Sequence, residues 1–337
     1  MFSDIPAPAV PTAKVPVKIA DNQEPIVGVI TDPEATSSYF ELIWKSQPMP
    51  EMFNSTLEGK MITIVKRYIQ MIMGERFNDI ASKPDAPFLG ASFGIGRLCL
   101  ASDAAFGSVY FKDGDADNAF KAYMTEVEKM KRFGFTDGEV QRAKDNIISS
   151  YEKAAEAAAT RKNADFVRPL LNHFYFKESY LDPQTALQLA QMVCGQINAQ
   201  ILGQVAASVI TDENMVVLYN GPEKEGLANP TVEGLAATIA AVKNAEIAAN
   251  VEENVNEPLL DAATLKGSPV KKTAEGLYGS TVWTLKNGVK VVVLPTQYEK
   301  DQVMFNIQKD GGMTLVATED VPSFEDNIWA LFLNNSG

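Results

Sequence analysis

A long amphipathic helix over residues 55–80 is the feature that most constrains how this chain can fold. Its apolar side chains recur at spacings of three and four residues, which is the period of one face of an α-helix. The members of this face are Leu57, Met61, Ile64, Val65, Tyr68, Ile69, Ile72 and Met73. Such a face is typical of a helix packed into a core, and we expect it to face the interior of a domain rather than to line a ligand groove.

Strands and further helices are predicted on both sides of this helix. The segments rich in β-branched and aromatic residues are Pro25–Ile30, Tyr39–Lys45, Gly90–Leu100, Ala105–Phe111 and Asn214–Asn220. The helical segments are 116–133, 136–159, 162–176, 183–193 and 197–209. Thr136 and Glu139 have the spacing of a capping box, which begins the longest of these helices. This order predicts an α+β fold: a mixed, largely antiparallel sheet with helices packed on one face, in two layers.

Changes in composition divide the chain into four regions. We predict an entry linker over 1–20, a complete domain over 21–222, a helical linker over 223–275 and the N-terminal part of a further domain over 276–337. In the last region Asn287-Gly288 separates two short alternating strands, which is a strong β-hairpin signal. A third strand is predicted there over Gln302–Gln308, and an apolar segment follows at Ile328–Leu333.

One histidine and two cysteines limit the metal chemistry of the chain. His173 alone cannot form a His-rich zinc site or a helix motif with two histidines. Cys99 and Cys194 are too few for a zinc module or a disulfide scaffold, although a single disulfide between them stays an alternative. We expect His173 to be a partly buried helix residue with one hydrogen bond, and both cysteines to be packing residues.

The charge balance excludes another class of function. The 43 acidic and 30 basic side chains give a net charge of −13, which argues against nucleic acid as the main partner. Uninterrupted apolar runs are too short for a membrane span. Most of the carboxylates are expected to lie on solvated helix faces. A sharper hypothesis is that some of them attract cationic peptides over a long range, an attraction that salt would screen.

Several short motifs in a fixed order carry a resemblance to a known family. They are Phe2-Ser3-Asp4-Ile5-Pro6, Asp32-Pro33-Glu34-Ala35-Thr36, Gly74-Glu75-Arg76-Phe77, the stretch from Thr136 to Lys144, the stretch from Thr211 to Val217, and the hairpin from Trp283 to Val293 followed by Gly311-Gly312. None is specific by itself. Their order and spacing resemble the pitrilysin and insulinase family of zinc peptidases.

The resemblance implies a place within a larger enzyme. Fused members of the family, of the bacterial type, carry four related α+β domains in two halves that close around a peptide. This chain would be the non-catalytic second domain, the linker and the start of the third domain. Zinc would be held by His-x-x-Glu-His in the missing first domain, so this chain alone is expected to have no catalytic residue, metal ligand or cofactor. The stretch Glu319–Leu333, where a first-half domain would carry its zinc helix, has no histidine.

A second implication concerns substrate binding. The second half of the family supplies an Arg and a Tyr, seven residues apart, that hold the substrate carbonyl and its oxyanion. The corresponding positions in this sequence are Ala81 and Phe88, whose side chains donate no hydrogen bond. The resemblance therefore implies that neither residue takes part in substrate binding.

Two functions are compatible with these observations. In the first, the chain forms part of the wall and hinge of a peptide-enclosing chamber in a periplasmic or cell-envelope endopeptidase. Its partners are then the peptide substrate, the missing catalytic domain and the remainder of the second half. In the second, it is a stand-alone binding or structural protein of degenerate domains, similar to core subunits of respiratory complexes. The second function predicts a stable partner protein and no zinc motif encoded before Met1.

Overall fold

The chain forms two units, divided near residue 260. A computed structural model describes residues 17–251, 262–264, 266–297, 303–309 and 317–320, together with residues 4, 6, 9, 10, 311 and 315. Some of the predicted features lie outside the described residues. These are Gly312, the segment Ile328–Leu333, most of the motif Phe2–Pro6 and most of the stretch Glu319–Leu333.

The first unit is a sheet covered by helices. Its strands are β1 (Ile26–Asp32), β2 (Ser38–Ser46), β3 (Gly90–Cys99), β4 (Ser102–Phe111) and β5 (Met215–Pro222). Its helices are α1 (Leu57–Ala81), α2 (Ala116–Phe133), α3 (Asp137–Glu156), α4 (Asn163–Phe176), α5 (Pro183–Cys194), α6 (Ala199–Val209) and α7 (Val232–Asn244). The strand order is β1-β5-β2-β4-β3, with β1 parallel to β5 and the other pairs antiparallel. The predicted mixed, largely antiparallel α+β fold is confirmed.

One face of this sheet forms the core together with α1 and α2. Phe40, Leu42 and Trp44 of β2 are almost completely buried, and the residues between them are less so, as the two-residue period of a strand requires. The α1 face from Ile64 to Met73 is buried in the same core, which confirms the core-facing prediction for these residues. Of the other two predicted members, Met61 is partly buried and Leu57 is 45% exposed.

Glycine at position 107 allows a buried tyrosine to reach across the sheet. A side chain on Gly107 would collide with the ring of Tyr123, which fills this space from α2. The Tyr123 hydroxyl donates a hydrogen bond to the Ser92 carbonyl oxygen (3.0 Å). Burial raises the pKa of Tyr123 above its usual range, so the hydroxyl stays protonated and remains a donor.

A buried ion pair joins α1 to the start of α3. Both Glu139 carboxylate oxygens accept from the Arg76 guanidinium, at 2.6 Å from Nε and 2.9 Å from Nη2, and Nη2 also donates to the Gly134 carbonyl oxygen (3.0 Å). Glu139 Oε2 accepts from the Thr136 backbone N–H (2.8 Å), and Thr136 Oγ1 accepts from the Glu139 N–H (3.2 Å). The predicted capping box is therefore present, and Arg76 binds its carboxylate.

The helix α7 lies in the stretch predicted as a linker and packs onto the first unit. Its residues Leu235, Ile239 and Val242 are buried, and Thr231 caps its first turn. Arg132 of α2 donates to carbonyl oxygens at the end of α7, including that of Lys243 (2.6 Å). Helix α7 is thus an integral layer of the first unit.

The second unit contains a three-stranded antiparallel sheet of β6 (Val270–Glu275), β7 (Thr281–Leu285) and β8 (Lys290–Val293). The predicted hairpin at Asn287-Gly288 joins β7 to β8, and Gly288 has the positive φ (91°) that this turn needs. The prediction of a strand over Gln302–Gln308 is wrong for the described residues, because 303–309 have no regular secondary structure. The third strand is instead β6, which reaches β7 through a turn closed by a hydrogen bond from the Gly276 N–H to the Ser280 carbonyl oxygen (2.7 Å).

Removing one partner of the buried ion pair is expected to destabilise the chain strongly. Arg76→Ala leaves the Glu139 carboxylate buried without its cation, so we expect the free energy of unfolding to fall by about 3–5 kcal/mol, measured by urea denaturation. Arg142 on α3 is the matched control, since its ion pair with Glu75 is exposed. Arg142→Ala is expected to cost about 1 kcal/mol or less. Equal losses in the two variants would contradict this assignment.

The same pair gives stability a defined pH dependence. Burial opposes ionisation of Glu139, but the hydrogen bonds and charge of Arg76 outweigh it and hold the pKa of Glu139 below its usual range. The resulting stabilisation is fully present above the unfolded-state pKa of about 4.3 and is lost as the pH falls through the folded-state pKa. Urea denaturation over this acidic range should therefore show a shallower decline in Arg76→Ala than in the wild type.

Candidate functional site

The positions that correspond to the family's Arg and Tyr lie at the end of α1 and just before β3. Ala81 is the last residue of α1 and packs, partly buried, against the core. Phe88 is 2% exposed, and its ring meets that of Phe77 edge-on with centroids 6.1 Å apart. Both side chains are used for packing, and neither presents a polar atom to a ligand.

An open cleft of about 660 Å³ lies beside these positions, between the segment 84–87 and α2. Its charged lining residues are of both signs, with Asp85, Asp115 and Glu126 against Lys112 and Lys121. Mixed charge of this kind gives the cleft no preference for an anion or a cation. The cleft itself therefore indicates no particular ligand.

His173 is exposed on α4, contrary to the expectation that it is partly buried. The reason is that α4 turns this part of its surface to solvent. The His173 Nδ1 atom lies 2.7 Å from the Glu178 carbonyl oxygen, which accounts for the one hydrogen bond expected of it. Cys194 is buried in the core and Cys99 is partly buried, and both are free thiols.

The face of the sheet opposite the core is open and chemically mixed. Tyr39 and Tyr110 stack there with ring centroids 5.4 Å apart, and the hydroxyls of Ser92 and Ser108 lie 2.8 Å apart. Ile30 on the edge strand β1 is half exposed. This surface can contact both apolar and hydrogen-bonding groups, as a peptide would present.

The sequence reasoning missed an exposed apolar surface on α4. Val167, Leu170, Leu171 and Phe174 are between 47% and 69% exposed, and α4 has no fully buried residue. We call these four residues the α4 stripe. Their spacing was visible in the sequence, but the same spacing describes a helix face turned toward a core.

Comparison with known proteins identifies the architecture. No protein-family model matches the chain. The zinc protease PQQL-like of Arabidopsis thaliana is 22% identical over 198 residues, which is 58% of this chain and 20% of that protein. The periplasmic protease PqqL from Escherichia coli superposes with a TM-score of 0.61 at 18% identity, over 88% of this chain and 32% of PqqL. This chain has a pitrilysin/insulinase-like peptidase fold.

Further structures agree with the pitrilysin-like fold. The first half of PqqL, taken alone, matches 73% of this chain over 52% of its own length, with a TM-score of 0.61 and 17% identity. A "predicted insulinase family protease" from Yersinia pestis matches 72% of this chain over 51% of its length, with a TM-score of 0.57 and 12% identity. The chain therefore spans about a fifth to a third of the full-length proteins and about half of the shorter structures.

The described residues of this chain do not fit the zinc that the fold family implies. Among them, no group of three His, Cys, Asp or Glu side chains is placed to hold a metal ion, and the exposed His173 therefore belongs to no such group. The thiol of Cys194 is buried in the core. Over the same residues, no helix is long and apolar enough to cross a membrane.

The packing role of Phe88 is testable by truncation. Phe88→Ala removes a ring that fills the core between α1 and β3, so we expect a loss of about 3–5 kcal/mol in the free energy of unfolding. Leu89 is the neighbouring control because its side chain is 61% exposed, and Leu89→Ala should change stability by about 0.5 kcal/mol or less. A near-neutral Phe88→Ala in urea denaturation would show that this ring does not hold the core.

Proposed function

We propose that this chain is a non-catalytic segment of a zinc-dependent endopeptidase, in which it forms part of the wall and hinge of a peptide-enclosing chamber. The observation that supports this proposal is the fit to the first half of PqqL, together with the lack of any group of three His, Cys, Asp or Glu side chains placed for a metal ion among the described residues. Catalysis would then depend on a zinc site in a preceding domain.

The open face of the five-stranded sheet supports a role as chamber wall. Its opposite face is sealed by α1 and α2, so the open face is the side on which the sheet can meet a peptide. Tyr110 and Ile30 offer apolar area, and the Ser92–Ser108 pair offers hydroxyl groups. In the proposed arrangement α7 stays packed on this wall, and the later part of the predicted linker 223–275 leads into the next domain and acts as the hinge.

The proposed partners and location follow from the same assignment. The partners are a peptide substrate, the catalytic first domain and the remainder of the second half, and the zinc ion belongs to that first domain. PqqL is a periplasmic protease, and we place the parent of this chain in the periplasm or cell envelope on that analogy.

The absence of a catalytic centre in this chain is directly testable. The purified 337-residue chain should show no zinc-dependent, chelator-sensitive peptide hydrolysis. The longer polypeptide encoded together with the upstream codons should show it and should contain His-x-x-Glu-His. The control replaces the glutamate of that motif by glutamine in the longer polypeptide and should abolish the activity.

Two results would contradict this proposal. Zinc-dependent hydrolysis by the chain alone would show that it holds a catalytic site of its own. An upstream sequence without His-x-x-Glu-His would favour a stand-alone binding protein of the same fold.

The acidic balance of the chain yields a separate prediction about substrate binding. If carboxylates of this segment face the chamber, an inactive form of the whole peptidase should bind a cationic peptide more weakly as the salt concentration rises. The reason is that dissolved ions screen the electric field of the carboxylates within about 8–10 Å near physiological salt. Fluorescence anisotropy with peptides of equal length and opposite charge would measure this. Identical salt dependence for the two peptides would exclude a role for the acidic surface.

A further inference from the structure

The α4 stripe is an apolar surface that the chain itself leaves uncovered. Val167, Leu170, Leu171 and Phe174 occupy positions i, i+3, i+4 and i+7, so they lie on one face of the helix. Pro169 lies on another face, where it lines a small cavity of about 180 Å³ together with residues of α1, α3 and α5. Pro169 is itself exposed, so the helix borders this cavity with one face and presents the stripe on another.

A local cap closes the first turn of α4, and contacts at its end tie the helix to the rest of the domain. At its start, the Asp165 carboxylate accepts from the Lys162 backbone N–H (2.8 Å). At its end, Asn54 donates through Nδ2 to the Phe176 carbonyl oxygen (2.7 Å), and the guanidinium of Arg97 lies 3.9 Å from the centre of the Phe176 ring. The stripe is therefore a preorganised surface rather than a fraying helix, which lowers the entropy that a partner must overcome on binding.

The charge around the stripe is opposite in sign to that of the chain. Residues 161–178 contain four cationic side chains and two carboxylates, Asp165 and Glu178, whereas the chain as a whole has a net charge of −13. The cations are Arg161, Lys162, Arg168 and Lys177. A surface with an apolar centre and a basic rim is complementary to an apolar surface with an acidic rim.

We propose that the α4 stripe docks against an apolar, acid-rimmed protein surface in the part of the parent peptidase that lies outside this chain. This inference rests on the proposed function. The relatives supply the required length of chain, because this chain spans 32% of PqqL and 20% of the plant protease. Four apolar anchors at i, i+3, i+4 and i+7 are the pattern by which a helix packs into a groove of another protein surface.

The charge of the chain also argues against two other binding partners for the α4 stripe, a second copy of the chain and a membrane. A second copy of the chain, docked stripe to stripe about a two-fold axis, would bring the two basic rims together, and like charges across an interface oppose association. An anionic membrane would attract the rim but repel a chain of net charge −13. An acidic rim on another domain has neither disadvantage.

Affinity between separately expressed pieces tests the docking. The 337-residue chain is titrated with each of the two polypeptides encoded immediately before and after it, and binding is measured by calorimetry. Leu171→Asp and Phe174→Asp, singly and together, are expected to weaken binding to one of these polypeptides about tenfold or more each. Arg168→Glu should weaken it mainly at low salt. Leu89→Asp, at an exposed apolar position before β3, is the matched control and should bind as the wild type does.

Folding of each variant is checked by circular dichroism and thermal unfolding, which should match the wild type because the substituted side chains are about half exposed. Unchanged affinity of the stripe variants, or no binding of either polypeptide by the wild type, would overturn the inference. Flotation with vesicles of phosphatidylglycerol, or stripe-dependent dimerisation in sedimentation, would reassign the surface to a membrane or to a second copy.

The failure of this inference differs from the failure of the proposed function. If the upstream polypeptide contains His-x-x-Glu-His but the stripe variants bind normally, the proposed function stands and the docking is wrong. If neither polypeptide contains the zinc motif, the proposed function fails, and the titration still shows whether the stripe binds a protein.

Discussion

The buried guanidinium of Arg76 connects the two longest helices of the first unit. It binds both oxygens of Glu139, contacts the Gly134 carbonyl and lies 5.2 Å from the centre of the Phe135 ring. The carboxylate that it holds also closes the first turn of α3 through Thr136. One side chain of α1 thereby contacts both the residue that follows α2 and the first turn of α3. The ion pair fixes these two helix ends against α1.

Much of the first unit could be predicted because its elements follow local rules. The three- and four-residue spacing of α1, the alternation in β2 and the Thr136 capping box each depend on neighbours within a few residues. The burial of Arg76 could not be predicted in this way. The sequence places this arginine within a short motif, but only the approach of Glu139, 63 positions later, makes a buried cation stable.

The predictions from sequence fail where one local pattern is compatible with two different structural environments. An apolar helix face at 167–174 matches a core helix as well as a docking surface, and only the structure shows that this face is open. His173 shares that helix and is exposed with it. In the second unit the sequence predicts a third strand over 302–308, but β6, which the sequence analysis did not predict, pairs with β7 through a short connection. A short connection costs less chain entropy to close than a long one, which favours this pairing.

The role of Phe88 connects the fold to the proposed function. The ring occupies the core between α1 and β3, so packing fixes the loop that carries it. A hydrogen-bonding side chain at this position would have to leave the core to reach a ligand. The first unit also has exposed surfaces that can contact other groups. Two are available on different sides of the first unit: the open sheet face and the α4 stripe. A domain that binds a peptide on the first and a neighbouring domain on the second would couple substrate enclosure to the packing of the whole enzyme.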